Sequence, residues 1–235
     1  LFPRDGHILG LSLAYCRDHA VYILTDVVDE EVEELLQKLF TKKITIFHNA
    51  KFDIAMLEYH FGFEFPRIED TMLIHYTLNE NPGTHGLKQL AVRHTKYGNY
   101  ERELEDFIAG YCKRNGVLKS QFTWESIPFD VMQFYAAMDA AVTFELYELM
   151  NEAMHKNLRL VKVYKEILIP GMLFLKDCQD AGVPFDRRRL EVAQNLMEKE
   201  IQDAIDELYT YPEVKMFEKA QGKDFNPNST VQLRS

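Results

Sequence analysis

The first 60 residues combine short apolar runs with stretches of helical periodicity. Residues 7–15 and 20–25 are apolar runs joined by a polar turn, which predicts two strands. Apolar residues recur at helical spacing across residues 29–40, residues 44–47 form a β-branched run, and helical spacing returns at 52–59. The order strand, strand, helix, strand, helix predicts an α/β layer built on a mixed sheet.

Helical spacing dominates the middle of the chain. Residues 70–78 and 86–94 predict two short helices, which Asn81-Pro82-Gly83 separates. The polar and aromatic stretch 97–126 predicts a helix followed by a loop. Residues 128–154, which begin with a proline, predict one long helix.

A second region follows the long helix. Residues 167–182 predict an apolar helix that ends at a glycine, and Asp186 caps an amphipathic helix that we expect Pro212 to end. We therefore divide the chain into a domain at 1–158 and a second region at 159–235. The apolar face of the amphipathic helix would meet a partner and comprises Leu190, Ala193, Met197, Ile201, Ala204 and Leu208.

Composition narrows the class of protein. Hydrophobic residues make up 46% of the chain and charged residues 27%, the balance of a globular protein and not of a disordered or collagen-like one. The longest apolar stretch, residues 167–175, contains a proline and is too short to span a bilayer, so no membrane partner is predicted. Three separated cysteines without CxxC spacing favour a reducing compartment over a disulfide scaffold.

The charge balance is acidic. There are 27 basic and 37 acidic residues, which gives a net charge of −10. A broad polyanion-binding surface is therefore not expected, because phosphate contacts need clustered Lys and Arg. A hydrolytic site that holds divalent cations, by contrast, must itself be rich in carboxylates.

Two short patterns place a carboxylate where a cation could bind it. Asp53 follows a predicted strand in the segment Asn49-Ala-Lys-Phe52-Asp53 and lies in the first turn of a helix, where it either ligates a metal or only stabilises that turn. Tyr135 and Asp139 are four residues apart on the long helix and share one face. Asp139 could bind a cation, or make an ordinary side-chain hydrogen bond.

Other candidate residues have simpler interpretations. Asp70 directly precedes an apolar helix and is interpreted as its N-cap. His75, His85 and His94 lack the spacing of a zinc site, so zinc ligation is not predicted. P-loop, GxGxxG and GxSxG patterns are absent from the sequence, which argues against a nucleotide triphosphatase, a dehydrogenase and an α/β-hydrolase.

Together these segments resemble the 3′–5′ proofreading exonuclease domain of family A DNA polymerases, the DNA polymerase I type. Asn49 to Asp53 is similar to the family's Asn-x-x-aromatic-Asp motif, and Tyr135 to Asp139 to its Tyr-x-x-x-Asp motif. The segments DTML at 70–73 and LKQLA at 87–91 also look like family segments. FNPNSTVQL at 225–233 resembles the start of the polymerase thumb, and the long polar connection resembles phage-type members.

The resemblance implies a ribonuclease-H-like fold and two-metal hydrolysis of a phosphodiester by two Mg²⁺ or Mn²⁺ ions roughly 3.5–4 Å apart. It implies that Asp139 ligates the first ion and Asp53 the second, and that Tyr135 orients the attacking water. Asn49, Phe52 and Leu1 match positions that contact the terminal nucleotides of a single-stranded or frayed 3′ end of DNA. A polymerase domain in the same parent chain and a cytoplasmic location in a bacterial or phage-infected cell are also implied.

One family motif is absent. Members carry Asp-x-Glu on the opening strand, followed closely by a Leu, and Leu1-Phe2-Pro3 looks like the residues just after that pair. We therefore expect that the sequence starts directly downstream of it and that the mixed sheet lacks its first strand. Since two carboxylates are too few anions to hold two divalent cations, we expect the 235-residue chain to bind metal weakly and to be nearly inactive alone.

Two other functions remain as alternatives. One is an RNA-trimming exonuclease of the RNase D type, which shares the same motifs, although the thumb-like segment 225–233 argues against it. The other is a non-catalytic exonuclease fold that supports a polymerase. Asn49, Asp53, Tyr135 and Asp139 are all present in the sequence, which argues against a loss of the metal ligands.

Overall fold

The computed structural model describes residues 3–234 of the chain. Packing divides it into two compact units, one up to Ala181 and one from Gly182. The first unit therefore continues beyond residue 158, where the sequence analysis places the end of the exonuclease domain; that boundary stays a prediction. Within the described residues, no helix has the length and apolar character needed to cross a membrane.

The strands of the first unit form two small sheets. β1 (Gly10–Cys16) and β2 (His19–Leu24) pair antiparallel, whereas β3 (Thr45–Phe47) and β4 (Ile68–Asp70) pair parallel. The prediction of one mixed sheet is therefore wrong for the part of the chain between residues 3 and 234, where the two pairs share no ladder. β4 was not predicted, because three residues that include two carboxylates give no alternating pattern.

The described residues form ten α-helices, eight in the first unit and two in the second. They are α1 (Glu30–Lys42), α2 (Ala50–Phe61), α3 (Thr71–Leu78), α4 (Leu87–His94), α5 (Arg102–Asn115), α6 (Phe129–His155), α7 (Leu158–Val163), α8 (Ile169–Ala181), α9 (Arg187–Leu208) and α10 (Pro212–Gln221). A π-helical segment, Tyr164–Leu168, joins α7 to α8. The α/β class and the predicted helices up to α6 are confirmed, whereas the ribonuclease-H-like arrangement stays a prediction.

The predicted end of the amphipathic helix is wrong. Asp186 caps α9 as expected, with its side chain accepting a hydrogen bond from the backbone N–H of Arg189 at 3.2 Å. The helix ends at Leu208, and Pro212 begins α10. Proline suits the first helical position because its fixed φ matches the helix and its missing N–H has no partner there in any case.

The long helix α6 organises the first unit. It packs against β1, β2, α3 and α4, and it also contacts β3. Its buried residues join those of neighbouring helices in one core cluster, since the apolar positions recur at helical spacing. That cluster includes Ile74, Leu90, Val142, Leu146, Met154 and Tyr164.

A buried polar network attaches β4 to the π-helical segment. The Tyr164 hydroxyl accepts a hydrogen bond from the backbone N–H of Asp70 and donates one to Glu69, both at 2.8 Å. Lys165 forms an ion pair with the same Glu69 carboxylate. Burial raises the pKa of Tyr164 above its ordinary value, so this hydroxyl remains a donor. The network fixes the strand end that carries Asp70.

Candidate active site

The turn between β3 and α2 depends on Asn49. Its φ is 71°, which is the left-handed region, and no other non-glycine residue among those described has a positive φ. Asparagine tolerates this conformation better than most residues. The chain therefore leaves β3 and enters α2 within two residues, and Asp53 lies in the first turn of that helix.

Asp70 caps two helices at once. Its carboxylate accepts hydrogen bonds from the backbone N–H groups of Met72 (2.8 Å) and Leu73 (3.2 Å) in α3. It also accepts from the N–H groups of Asn49 (3.2 Å) and Ala50 (2.8 Å), where α2 begins. Burial raises the pKa of Asp70, and these four donors oppose the rise. The N-cap interpretation is confirmed, and the same side chain also fixes the helix that carries Asp53.

The double cap leads to a stability prediction. Replacing Asp70 with Asn is expected to lower the free energy of unfolding by about 2 kcal/mol, because an amide supplies one acceptor oxygen and turns N–H groups toward backbone donors. Urea denaturation at pH 7 measures this loss. The matched control is Asp29→Asn at the exposed cap of α1, which accepts one bond from Val32 at 3.0 Å. Equal losses in the two variants would contradict the double-cap role.

The carboxylate of Asp53 lacks a partner within residues 3–234, where neither a hydrogen-bond donor nor a cation contacts it. Burial is the largest cause that raises its pKa to about 7, and the negative charges of Asp70 and Asp139 add to the rise. Asp53 and Asp139 come from different helices, far apart in the sequence, and lie close enough to interact electrostatically. A cation shared by these carboxylates would relieve their repulsion.

Asp139 lies among polar and aromatic groups from three parts of the fold. Lys88 on α4 forms an ion pair with its carboxylate, and the Tyr100 hydroxyl donates a hydrogen bond to it. The Lys88 ammonium lies 4.2 Å from the ring centre of Tyr135. Burial and the charge of Asp139 raise the pKa values of Tyr100 and Tyr135, so both phenols remain protonated donors.

Two of the three predicted nucleotide-contacting residues line one recess. Asn49 and Phe52 line a pocket of about 230 Å³, together with residues of α8. Phe52 is 43% exposed, and a stacking platform for a base has to be exposed. Leu1 lies outside the described residues. The roles of all the predicted site residues stay predictions.

The two carboxylates are the type of ligand that a divalent cation prefers, but they are too few for a tight site. Asp53 and Asp139 offer the hard oxygen ligands that Mg²⁺ prefers, and the unpartnered Asp53 carboxylate is the group that a cation would stabilise. In the part of the chain that the structure describes, no group of three or more His, Cys, Asp and Glu side chains is placed to hold a metal ion. Further ligands are therefore needed for a tight site.

Sequence reasoning missed two residues that contact Asp139. Lys88 lies in the LKQLA segment, beside the apolar face of α4. In the sequence it therefore looks like an ordinary surface lysine. Tyr100 lies just before α5 in the polar stretch, where periodicity gives no signal. Both contacts depend on how α4 and α5 pack on α6, which a single sequence does not reveal.

Comparison with known proteins gives one consistent result. A family model of DNA polymerase A described as 3′-5′ exonuclease matches residues 4–155. The DNA polymerase of Escherichia phage T5 is 42% identical over the whole chain, which corresponds to 28% of that relative's length. The DNA polymerase of Bacillus phage SP01 is 31% identical over 77% of the chain and 19% of its own length.

A bacterial relative extends the comparison. DNA polymerase I of Chloroflexus aurantiacus is 26% identical over 99% of the chain and 24% of its own length. The chain thus spans less than a third of the length of each of these relatives. The range that the family model covers contains Asp53, Tyr135 and Asp139. We conclude that the chain belongs to the 3′-5′ exonuclease domain family of family A DNA polymerases.

Proposed function

We propose that this chain is the proofreading region of a DNA polymerase and that it hydrolyses the 3′-terminal phosphodiester of a DNA strand. The observation that carries the proposal is the Asp53 carboxylate, which has no cation or donor beside it within residues 3–234 and whose pKa is raised first by burial and then by the charges of Asp70 and Asp139. Groups whose pKa is strongly shifted by burial and by like charges cluster at catalytic sites.

The chemistry assigns a role to each side chain. Asp53 and Asp139 would hold divalent cations, which supply charge stabilisation and a more acidic water. The Tyr135 phenol, which remains protonated, would orient the attacking water toward phosphorus. The water oxygen bonds to phosphorus and gives up a proton to solvent, the bond from phosphorus to the 3′ oxygen breaks, and that oxygen takes up a proton from solvent. The products are a shortened strand with a 3′ hydroxyl and a nucleoside 5′-monophosphate.

The substrate preference follows from the recess that contains Phe52. Stacking on an exposed aromatic ring tolerates any base, as an enzyme that removes any mispaired nucleotide requires. A mismatched 3′ end unpairs at lower cost than a matched one, so it reaches a single-strand site more often. We therefore propose a single-stranded or frayed 3′ end of DNA as substrate.

The remaining proposals concern the parent protein. The thumb-like segment 225–233 and the names of the relatives favour a polymerase domain in the same parent chain over an RNase D-type trimming enzyme. For such a parent polymerase we propose the cytoplasm of a bacterial or phage-infected cell as the location. A non-catalytic scaffold would have no use for an unpartnered carboxylate at Asp53, since such a group lowers the stability of the fold.

Metal binding provides the direct test. Because two carboxylates are too few anions for two cations, the 235-residue chain is expected to bind Tb³⁺ at least about tenfold more weakly than the longer polymerase that carries it. Luminescence of Tb³⁺ excited through nearby tyrosines measures both affinities, and Mg²⁺ competition supplies the values for magnesium. Asp139→Asn is the control for site-specific signal. Equal affinities, or rapid Mg²⁺-dependent nucleotide release by the 235-residue chain, would show that further ligands are not needed.

A further inference from the structure

The ammonium group of Lys88 is surrounded by groups of the candidate active site. It pairs with the Asp139 carboxylate, lies 2.8 Å from the Tyr100 hydroxyl oxygen and lies 3.7 Å from a carboxylate oxygen of Glu101. It also lies over the rings of Tyr135 and Tyr100, at 4.2 Å and 4.4 Å from their centres. The side chain as a whole is 29% exposed to solvent.

We propose that Lys88 contacts the scissile phosphodiester of the bound strand and is thereby a further catalytic residue of the nuclease. This inference rests on the function proposed above. In the structure the ammonium neutralises Asp139, and a divalent cation on the same carboxylate competes with it for the same oxygens. The ammonium then keeps only the longer contact with Glu101, at 3.7 Å, and can turn toward a further anion that reaches the site.

The phosphodiester is the anion that the proposed reaction brings to this place. Each nucleotide of a strand carries one negative charge, and further charge develops on the phosphoryl oxygens as the bond to the 3′ oxygen breaks. The flexible four-carbon stem of lysine lets the ammonium move while its attachment on α4 remains fixed. Tyr100 and Tyr135 continue to face the ammonium with their rings, which favours a position close to the site in either state.

A structural role for Lys88 leads to different expectations. If the lysine served only to hold Asp139 in place, its removal would weaken cation binding and activity together. If it contacts the phosphodiester, its removal lowers activity and the salt dependence of catalysis, whereas cation binding is unchanged or tighter because a competing ammonium is gone. The two roles can therefore be separated by measuring cation binding independently of activity.

The test uses the full-length polymerase with Lys88→Met, Lys88→Arg and the control Lys96→Met. Lys96 is 62% exposed and pairs with Asp18 at 2.8 Å, so its removal changes the net charge equally at a different place. We expect Lys88→Met to lower kcat/KM for a single-stranded oligonucleotide about 10²-fold. The slope of log(kcat/KM) against log[KCl] should become less steep by about 0.7, the value for one phosphate contact on a single strand.

Cation binding and rescue complete the test. Tb³⁺ affinity of Lys88→Met should equal or exceed that of the unmodified protein, and Lys88→Arg should restore the salt slope because it restores the charge. An unchanged slope, or a fall in Tb³⁺ affinity that parallels the loss of activity, would overturn the proposal. Failure of the underlying function is distinguishable, because Asp139→Asn would then release nucleotides as fast as the unmodified polymerase.

Discussion

Replacing Asp139 with Asn is expected to reduce the 3′–5′ exonuclease activity of the full-length polymerase by about 10³-fold or more and to leave polymerisation unchanged. The amide has nearly the same shape as the carboxylate but carries no charge, so it is a poor ligand for a divalent cation. A loss of this size corresponds to about 4 kcal/mol of transition-state stabilisation, which is within the range for removing an electrostatic contribution at a reacting phosphate. The measurement is release of 3′ nucleotides from a radiolabelled single strand with Mg²⁺ present.

The control for Asp139→Asn lies on the same helix. Asp130 is exposed in the first turn of α6, and Asp130→Asn makes the same change of charge away from Lys88 and Tyr100. We expect that variant to keep its exonuclease activity. If Asp139→Asn retained more than about a tenth of the activity, Asp139 would not be a metal ligand, and the proposed role of the carboxylate pair would be wrong.

The helical part of the fold could be predicted because its signals are local. The apolar positions of α6 recur along 27 residues, and Asp70 and Asp186 both cap the helices that follow them. The sheets were predicted less well, because β3 and β4 have only three residues each and pair across the intervening helix α2. Pairing partners of such short strands depend on the packing of α2 and α6, which no local pattern encodes.

The candidate site could be predicted only as far as its motifs extend. The sequence alone predicts three site residues, because their spacings are local. Asp53 lies at a fixed distance from a predicted helix start, and Tyr135 and Asp139 are four residues apart on one helix. Lys88 and Tyr100 reach Asp139 through tertiary packing, and the two roles of Asp70 likewise depend on β4 lying beside β3. The sequence thus revealed the acidic groups and missed the neighbours that neutralise or position them.

Replacing Asp53 with Asn is expected to stabilise the protein above neutral pH. The folded protein holds the Asp53 proton up to a pKa of about 7, whereas the unfolded chain releases it near the ordinary value of 3.8. Between these pH values the folded state therefore binds more protons, and each unit of rising pH lowers the free energy of unfolding by up to about 1.4 kcal/mol. The stability contributed by the protonated side chain is complete below pH 3.8 and is lost as the pH rises through 7.

The measurable consequence is a pH-dependent gap between two denaturation curves. From pH 5 to pH 8 the excess stability of Asp53→Asn over the unmodified chain should grow by about 2–3 kcal/mol in urea denaturation, because only the unmodified chain has to ionise this half-buried group. Asp203→Asn, on the exposed face of α9, changes the charge equally and should give parallel curves. A gap for Asp53→Asn that stays constant with pH would mean that the Asp53 carboxylate is well solvated or that a positive charge already neutralises it. A growing gap would mean that the fold retains a destabilising charge next to Asp139, which a structural role alone does not explain.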